Sequence, residues 1–228
     1  MPKIFDEVKK QGRKALTEIE AKAVIGDAGI PVVTTYLART RKEAQQFSAR
    51  LGFPVVLKVC SADIIHKTEA GGVSLNLTSA EEVARAYNQM LETAAARYPG
   101  ANIAGVSVQK MIRGGVEVIA GMTRDPQFGP MIMFGLGGIF VEILKDVSFR
   151  IVPLTEEDAY EMLSEIRGKP ILEGARGTRP VKKEALVDIL VKLSRFIEGN
   201  PEIKELDINP ILADDQGAVA VDARIILG

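Results

Sequence analysis

The chain has 228 residues, of which 46% are hydrophobic and 26% charged, and its 29 lysines and arginines nearly balance its 30 aspartates and glutamates. This balance and the absence of tryptophan argue against a nucleic-acid-binding protein, and no apolar run reaches the ~20 residues needed to cross a bilayer. Residues 1–14 are too charged for a signal peptide, and the one cysteine, Cys60, cannot form an internal disulfide, so we expect a cytoplasmic protein with a small-molecule site.

The first half of the chain has the periodicity of alternating helices and strands. Apolar residues recur at helical spacing before Gly29, and Pro31 forbids continuation of that helix. Thr40 and Ser79 are candidate N-caps for two further helices, because their side chains can accept hydrogen bonds from first-turn N–H groups. The pattern predicts helices over 5–28, 41–51 and 80–97, and strands over 32–37, 54–59, 72–77 and 103–111.

The second half continues with strands and two helices. Strands are predicted over 116–123, 131–134, 203–208, 211–213 and 218–223, and helices over 155–166 and 182–198. Helices and strands do not alternate strictly, as they would in a doubly wound sheet, so the fold class is mixed α/β of the α+β type. Two lobes dividing near residues 105–115 fit this order, and a cleft between them is the expected place for a small molecule.

Lys58 is the first candidate site residue. It lies within the apolar run 54–59, so its ammonium needs an anionic or hydrogen-bonding partner, and a nucleotide phosphate would serve. A strand-edge lysine that reaches solvent explains the pattern equally well, and the run alone leaves both interpretations open.

The single histidine, His66, precedes the paired glycines Gly71 and Gly72. Paired glycines allow backbone N–H groups to approach a phosphate closely. Histidine can accept and release a phosphoryl group, because imidazole is nucleophilic and titrates near neutrality. An isolated histidine is more often structural, so the loop alone does not decide between the two roles.

Two further features could bind parts of a nucleotide. Glu117, in a predicted strand, could accept hydrogen bonds from ribose hydroxyls, although an outward-facing strand glutamate is commoner. The glycine-rich run 135–138 leads into a predicted helix that contains Glu142. A glycine-rich entry to a helix favours anions, because the free N–H groups and the helix dipole point there.

Acidic and amide side chains cluster near the C-terminus. Strand alternation places Glu205, Asp207 and Asn209 on one face, and Asp222 on the paired strand could lie close to Asn209. Such oxygen ligands suit Mg²⁺, which takes one or two protein groups together with waters and substrate phosphates. Ordinary turn chemistry is the alternative. A lysine, a glycine-rich lid and a late acidic pair together describe a phosphoryl-transfer site.

The order of these motifs resembles the ATP-grasp domain of ADP-forming (NDP-forming) acyl-CoA synthetases, which are relatives of succinyl-CoA synthetase. The resemblance runs across roughly residues 15 to 227, and the chain length is similar to that of a separate β subunit. It depends on the motifs at 57–59, 66–73, 123–130, 134–138 and 207–210.

The resemblance implies a single domain with the ATP-grasp fold. Its parts would be a helical lead-in over about 1–20, a first subdomain over about 21–108 and a second subdomain over about 109–228. The nucleotide would lie in the cleft between the two subdomains. It also implies a reversible reaction with Mg²⁺ in which acetyl-CoA, ADP and phosphate give acetate, CoA and ATP. A partner α subunit would carry the CoA-binding and acyl-phosphate-forming site, in an α2β2 assembly.

The resemblance also implies roles for individual residues. His66 matches a histidine that relays a phosphoryl group to ADP, and Asp207 matches the acid that orients it. Lys58 matches the phosphate-binding lysine, and Gly71 and Gly72 match the lid over the phosphates. Asn209 and Asp222 match the Mg²⁺ ligands, and the hinge strand beside adenine is matched by Gln109, Lys110 and Met111. Glu117 matches the ribose-binding acid, although it lies one residue out from some family spacings.

Two other functions are compatible with the same motifs. A ligase of the ATP-grasp type could activate a carboxylate directly, without a phosphohistidine and with its acceptor site in the same chain. A nucleotide-binding regulatory module could keep the fold and lose the activity. The presence of Lys58, His66, Asp207, Asn209 and Asp222 argues against such decay.

Overall fold

The computed structural model describes residues 2–64, 71–138, 141, 143–175 and 179–228. Within these residues the helices are α1 (Lys3–Lys10), α2 (Glu18–Asp27), α3 (Arg41–Leu51), α4 (Ala80–Arg97), α5 (Glu156–Glu165), α6 (Lys169–Leu172) and α7 (Lys183–Glu198). The strands are β1 (Thr35–Ala38), β2 (Val55–Ser61), β3 (Val73–Leu77), β4 (Ile103–Lys110), β5 (Val116–Asp125), β6 (Gly129–Leu136), β7 (Val147–Ile151), β8 (Ile203–Ala213), β9 (Ala218–Ala220) and β10 (Ala223–Leu227). Within the same ranges, every helix is too short or too polar to cross a bilayer.

The chain divides into two compact units. The larger comprises Met1–Leu16, Glu20–Val32 and Gly114–Gly228, and the smaller comprises Thr17–Ile19 and Val33–Arg113. The sequence-based boundary at residues 108/109 differs from this division by five residues. Residues 21–32, expected in the first subdomain, belong to the larger unit, because Val24, Ile25 and Ile30 are buried in its core.

The smaller unit is an antiparallel sheet with strand order β1-β4-β2-β3. Helices α3 and α4 pack on one face, where Val55, Leu57 and Val59 of β2 meet Val83 and Met90 of α4. Because successive strand residues point to opposite faces, the side chains between them, including Lys58, lie on the other face. The predicted caps are confirmed: the side chain of Thr40 accepts from Glu43 N at 3.2 Å and that of Ser79 accepts from Glu82 N at 3.2 Å.

The larger unit contains a second antiparallel sheet, with strand order β10-β8-β5-β6-β7 and β9 paired to β8. Helices α5 and α7 pack against it, and α7 buries much of its apolar face in the core. Strands β9 and β10 both pair antiparallel with β8, so the closing strands form a hairpin. Strand β8 is central to the candidate site, since it carries Glu205, Asp207 and Asn209.

The single helix predicted over 5–28 is wrong. The chain forms α1 and α2, and Gly12 between them has a positive φ of 69°, a conformation that favours glycine. The connecting residues then join the edge of β10: Leu16 N donates to Ile225 O at 3.0 Å, and Leu227 N donates to Lys14 O at 2.8 Å. Pairing with a strand more than two hundred residues away thus overrides the local helical periodicity.

The strands predicted over 203–208 and 211–213 form one strand, β8, which continues through Asn209 and Pro210. The register against β5 shifts there, because Val118 pairs with Ile211 whereas Ala120 pairs with Ile208. The extra residue on β8 makes a bulge, a position that tolerates proline without loss of a ladder hydrogen bond. The bulge lies directly beside the predicted metal ligands.

Candidate functional site

Lys58 is buried on the face of the small sheet that the helices do not cover. The residue is 6% exposed, so it is not a strand-edge lysine that reaches solvent. Its Nζ donates to Glu18 Oε1 at 3.0 Å. A buried ammonium on a rigid central strand provides a fixed positive charge, as phosphate binding requires.

The three residues predicted beside adenine have different surroundings. Gln109 is 1% exposed, and its Oε1 lies 3.3 Å from the hydroxyl of Thr35. Lys110 Nζ donates to the carbonyl oxygens of Gly52 and Phe53, at 2.8 and 2.9 Å. The Lys110 ammonium therefore stabilises the C-terminal end of α3, where carbonyl groups lack helical partners. The third residue, Met111, donates its backbone N–H to Pro54 O at 3.0 Å.

The structure describes only part of the loop that carries His66 and the paired glycines. His66 lies outside the described residues, whereas Gly71 and Gly72 lie within them. Gly71 has a φ of 68°, and Gly72 O accepts from Val59 N at 2.8 Å. The second glycine is thus anchored to the strand that carries Lys58. Beside Gly71 a cavity of about 330 Å³ is lined by Gly71, Val73, Ser74, Ala86, Gln89, Met90, Thr93 and Arg97.

In the larger unit, the structure brings Asn209 and Asp222 together. Asn209 N donates to Asp222 O at 3.2 Å, which confirms the expected proximity of the two residues. Asp222 lies in the break between β9 and β10, not on a paired strand as predicted. There, Ala223 N donates to Asp222 Oδ1 at 2.8 Å, so the backbone orients the carboxylate.

Asp207 lies on β8 between Gly121 of β5 and Arg224 of β10. Burial raises the pKa of the Asp207 carboxyl above its usual range; nearby Arg224 acts in the opposite direction, and the negative charge of Asp222 adds to the increase in pKa. A side chain at position 121 would begin 3.8 Å from Asp207 Oδ1, so glycine leaves space beside the carboxylate. The result is a partly buried acid close to a second acid.

Asn209, Asp222 and Asp207 carry oxygen ligands of the type that a hard divalent cation takes. Within the described residues no group of three or more His, Cys, Asp or Glu side chains is placed to hold a metal. An all-protein cage is therefore not present in those residues. One carboxylate and one amide oxygen are instead what Mg²⁺ uses when substrate phosphates and waters complete its shell.

Glu117 is exposed on β5, and the glycine-rich run passes beside it. Gly137 N donates to Glu117 O at 2.8 Å, and a Cβ on Gly137 would lie 3.1 Å from Glu117 Cβ. Gly135 approaches β7 so closely that a Cβ would lie 2.7 Å from Asp146 O. These glycines are thus needed for close backbone packing. The predicted helix with Glu142 falls largely outside the described residues.

The sequence analysis missed two buried charged residues. Glu18, 4% exposed, accepts from Lys58, and Lys22, 3% exposed, donates from Nζ to Val221 O at 3.0 Å, next to Asp222. The two lie four residues apart on α2, the spacing of an ordinary surface ion pair. Local spacing therefore suggested solvent exposure, and only the tertiary contacts show their burial.

Comparison with known proteins gives consistent matches along the whole chain. A family model described as an ATP-grasp domain matches residues 7–227. The chain is 52% identical over 224 residues to the Pyrococcus furiosus protein named Acetate--CoA ligase [ADP-forming] I subunit beta, covering 98% of this chain and 96% of that one. It is 45% identical to the Archaeoglobus fulgidus protein Acetate--CoA ligase [ADP-forming] I, of which it spans 31%, with 90% of this chain covered.

A solved structure of acetyl-coenzyme A synthetase 1 from Ca. Korarchaeum cryptofilum superimposes with a TM-score of 0.87 at 46% identity and covers 99% of both chains. That structure is a complex with coenzyme A and Mg-AMPPCP, and its phosphohistidine segment points towards the nucleotide-binding site. The mixed α/β fold with antiparallel sheets agrees with this match. The chain therefore belongs to the ATP-grasp family, among the β subunits of ADP-forming acetate–CoA ligases.

Proposed function

We propose that this chain transfers a phosphoryl group between a phosphohistidine and ADP, as the β subunit of an ADP-forming acyl-CoA synthetase. The complete reaction converts acetyl-CoA, ADP and phosphate to acetate, CoA and ATP. The observation that carries the proposal is the end-to-end similarity to the Pyrococcus furiosus β subunit. The buried Lys58 and the Asn209–Asp222 pair support it, because both suit phosphate chemistry.

The proposal assigns the charge of the phosphates to two sets of groups. Lys58 binds the phosphate chain of the nucleotide from β2, and Gly71 and Gly72 belong to the lid over it. Asn209 and Asp222 hold Mg²⁺, which when bound shares the negative charge of the transferred group. Gln109, Lys110 and Met111 belong to the strand on the adenine side, through their backbone in the case of Lys110, and Glu117 binds the ribose.

His66 carries the phosphoryl group in this proposal. An oxygen of the terminal phosphate of ADP attacks the phosphorus, the P–N bond breaks, and the bonding pair returns to the imidazole. Asp207 orients the imidazole and stabilises positive charge on the ring. The partial burial of Asp207 supports this role, because a carboxylate in such surroundings gains from a nearby cationic partner.

The proposal also includes a partner subunit. The α subunit carries the CoA-binding and acyl-phosphate-forming site, in a cytoplasmic α2β2 assembly. Two relatives support a partner subunit: the Pyrococcus furiosus relative is a subunit beta, and the longer Archaeoglobus fulgidus relative has a chain of which this one spans 31%. The rest of that longer chain corresponds to functions that this chain would obtain from a partner.

Phosphoprotein labelling tests the proposed relay. The chain is mixed with Mg²⁺ and ATP labelled in the γ-phosphate, and we expect label that is acid-labile and base-stable, as a P–N bond requires. His66→Ala should lose the label and keep nucleotide binding. Label that persists in His66→Ala would refute the relay, and an unlabelled wild-type chain would favour the regulatory module instead.

A further inference from the structure

A buried ion pair joins two chain segments of the smaller unit. Lys58 lies on β2, and Glu18 is the first residue of α2, 40 residues earlier. The Nζ–Oε1 distance is 3.0 Å, and the two side chains are 7% and 1% exposed. Such a pair is held out of water, so each charge depends strongly on compensation by protein groups.

The described strand residues beside Lys58 on its face of the sheet are mostly apolar. Val56 and Cys60 flank Lys58 on the same face of β2, and both are buried. Val73 of β3 and Ser107 of β4 lie directly opposite, and the Ser107 hydroxyl donates to the Lys58 carbonyl at 3.3 Å. The Glu18 carboxylate therefore holds the ammonium at a defined place among these side chains.

We propose that Glu18 is a positioning residue for Lys58, which holds the ammonium in place so that it can bind nucleotide phosphate. The inference rests on the proposed function, in which Lys58 is the phosphate ligand. An ammonium has three N–H donors, so one can remain on Glu18 while others reach a phosphate oxygen. Glu18 then acts only through Lys58 and does not touch the nucleotide.

A purely structural ion pair is the competing explanation. In that case Glu18 would fasten the start of α2 to β2, and its loss would change unfolding without any specific effect on phosphate. The two explanations differ in two measurable properties: whether loss of Glu18 weakens the contribution of the phosphates to nucleotide binding, and whether that effect requires Lys58.

Calorimetric binding of ADP with Mg²⁺ and of adenosine to the full chain separates them. Relative to wild type, Glu18→Gln should bind ADP about tenfold more weakly, because the ammonium is no longer held where the phosphate binds. Adenosine binding should not change. Glu18→Asp, which keeps the carboxylate, should lose less ADP affinity than Glu18→Gln.

Glu20→Gln is the matched control. Glu20 lies on the same helix, pairs with Arg13 at 2.7 Å and is partly exposed, so its loss should leave ADP binding at the wild-type level. In a Lys58→Met background, Glu18→Gln should produce no further loss of ADP affinity, since two residues that act as a unit are not additive.

Two results would overturn the inference: an ADP affinity of Glu18→Gln equal to that of wild type, or an equal loss of ADP and adenosine affinity. Failure of the proposed function is distinguishable. If Lys58→Met binds ADP as wild type does, Lys58 is not the phosphate ligand. If Lys58→Met weakens ADP binding and Glu18→Gln binds ADP as wild type does, only the role of Glu18 is wrong.

Discussion

Asp207 combines two properties that oppose each other at the scale of a residue. Its burial favours the neutral acid, whereas Arg224 on the neighbouring strand favours the carboxylate. A partly buried carboxylate lowers the stability of the fold when it is charged. Carboxyl groups with such opposing influences are often found at functional sites. The sequence indicated Asp207 through strand alternation, but the degree of its burial depends on the packing of β8 between β5 and β10.

The amide and carboxylate at the β8 bulge give a prediction about metal dependence. Asn209→Ala and Asp222→Ala should each raise the Mg²⁺ concentration needed for half-maximal ADP binding by about tenfold, because each removes one oxygen ligand from a cation with few protein ligands. The measurement is a Mg²⁺ titration of nucleotide binding to the full chain.

Asp215→Asn is the control for this titration. Asp215 lies in the turn after β8 and pairs with the exposed Arg179 at 2.7 Å, so its loss removes a nearby carboxylate without changing the bulge. Titration curves for Asn209→Ala and Asp222→Ala that coincide with that of Asp215→Asn would reject both residues as ligands.

At the scale of elements, α5 begins with a capping box. The Thr155 side chain accepts from Asp158 N at 3.1 Å, and Asp158 Oδ2 accepts from Thr155 N at 2.8 Å. The hydrogen bonds from Thr155 lower the pKa of the Asp158 carboxyl below its ordinary value. A carboxyl whose pKa is lower in the folded than in the unfolded state stabilises the fold above the unfolded pKa, and this contribution disappears as pH falls through the folded pKa.

We therefore expect Asp158→Ala to reduce the free energy of unfolding by about 0.5–1 kcal/mol at pH 7. The difference from wild type should shrink below about pH 4, where the unfolded carboxyl is protonated. Urea unfolding at pH 7 and again below about pH 4 measures this difference in the free energy of unfolding. Glu157→Ala, at an exposed position in the same turn, is the control. A difference that stays constant with pH would show that the carboxylate is not the stabilising group.

How well an element is predicted from sequence depends on how local its determinants are. The bounds of α3 and α4 follow from Thr40, Ser79 and the residues around them, and the structure confirms both helices. The break between α1 and α2 depends on pairing of Leu16 with Ile225, which no local pattern contains. Strand β7 was missed, because its five residues lie between segments with much stronger signals.

The contrast between local and long-range determinants also applies to the two residue pairs of the candidate site, Asn209 with Asp222 and Glu18 with Lys58. Asn209 and Asp222 belong to one short hairpin, so the alternation of nearby strands was enough to predict their proximity. Glu18 and Lys58 come from a helix and a strand in separate parts of the sequence, and Glu18 has the spacing of a surface residue. Tertiary packing alone places that carboxylate on the lysine.

At the scale of the molecule, each unit has its own sheet and its own buried core, and the candidate residues are distributed over both. The smaller unit carries Lys58 and the two glycines, and the larger carries Asp207, Asn209 and Asp222. These groups suit the binding of a nucleotide, Mg²⁺ and a phosphoryl group. The proposed function places binding of CoA and formation of the acyl phosphate in the partner subunit.

The last prediction follows from this distribution. The chain alone should bind ADP and accept a phosphoryl group from ATP, yet form no ATP from acetyl-CoA, ADP and phosphate. Addition of the α subunit should restore ATP formation with the wild-type chain and not with His66→Ala, because the relay needs a phosphoryl acceptor on each subunit. A coupled assay of ATP formation with each subunit alone and with both measures it, and a full rate from this chain alone would contradict the division of the reaction between two polypeptides.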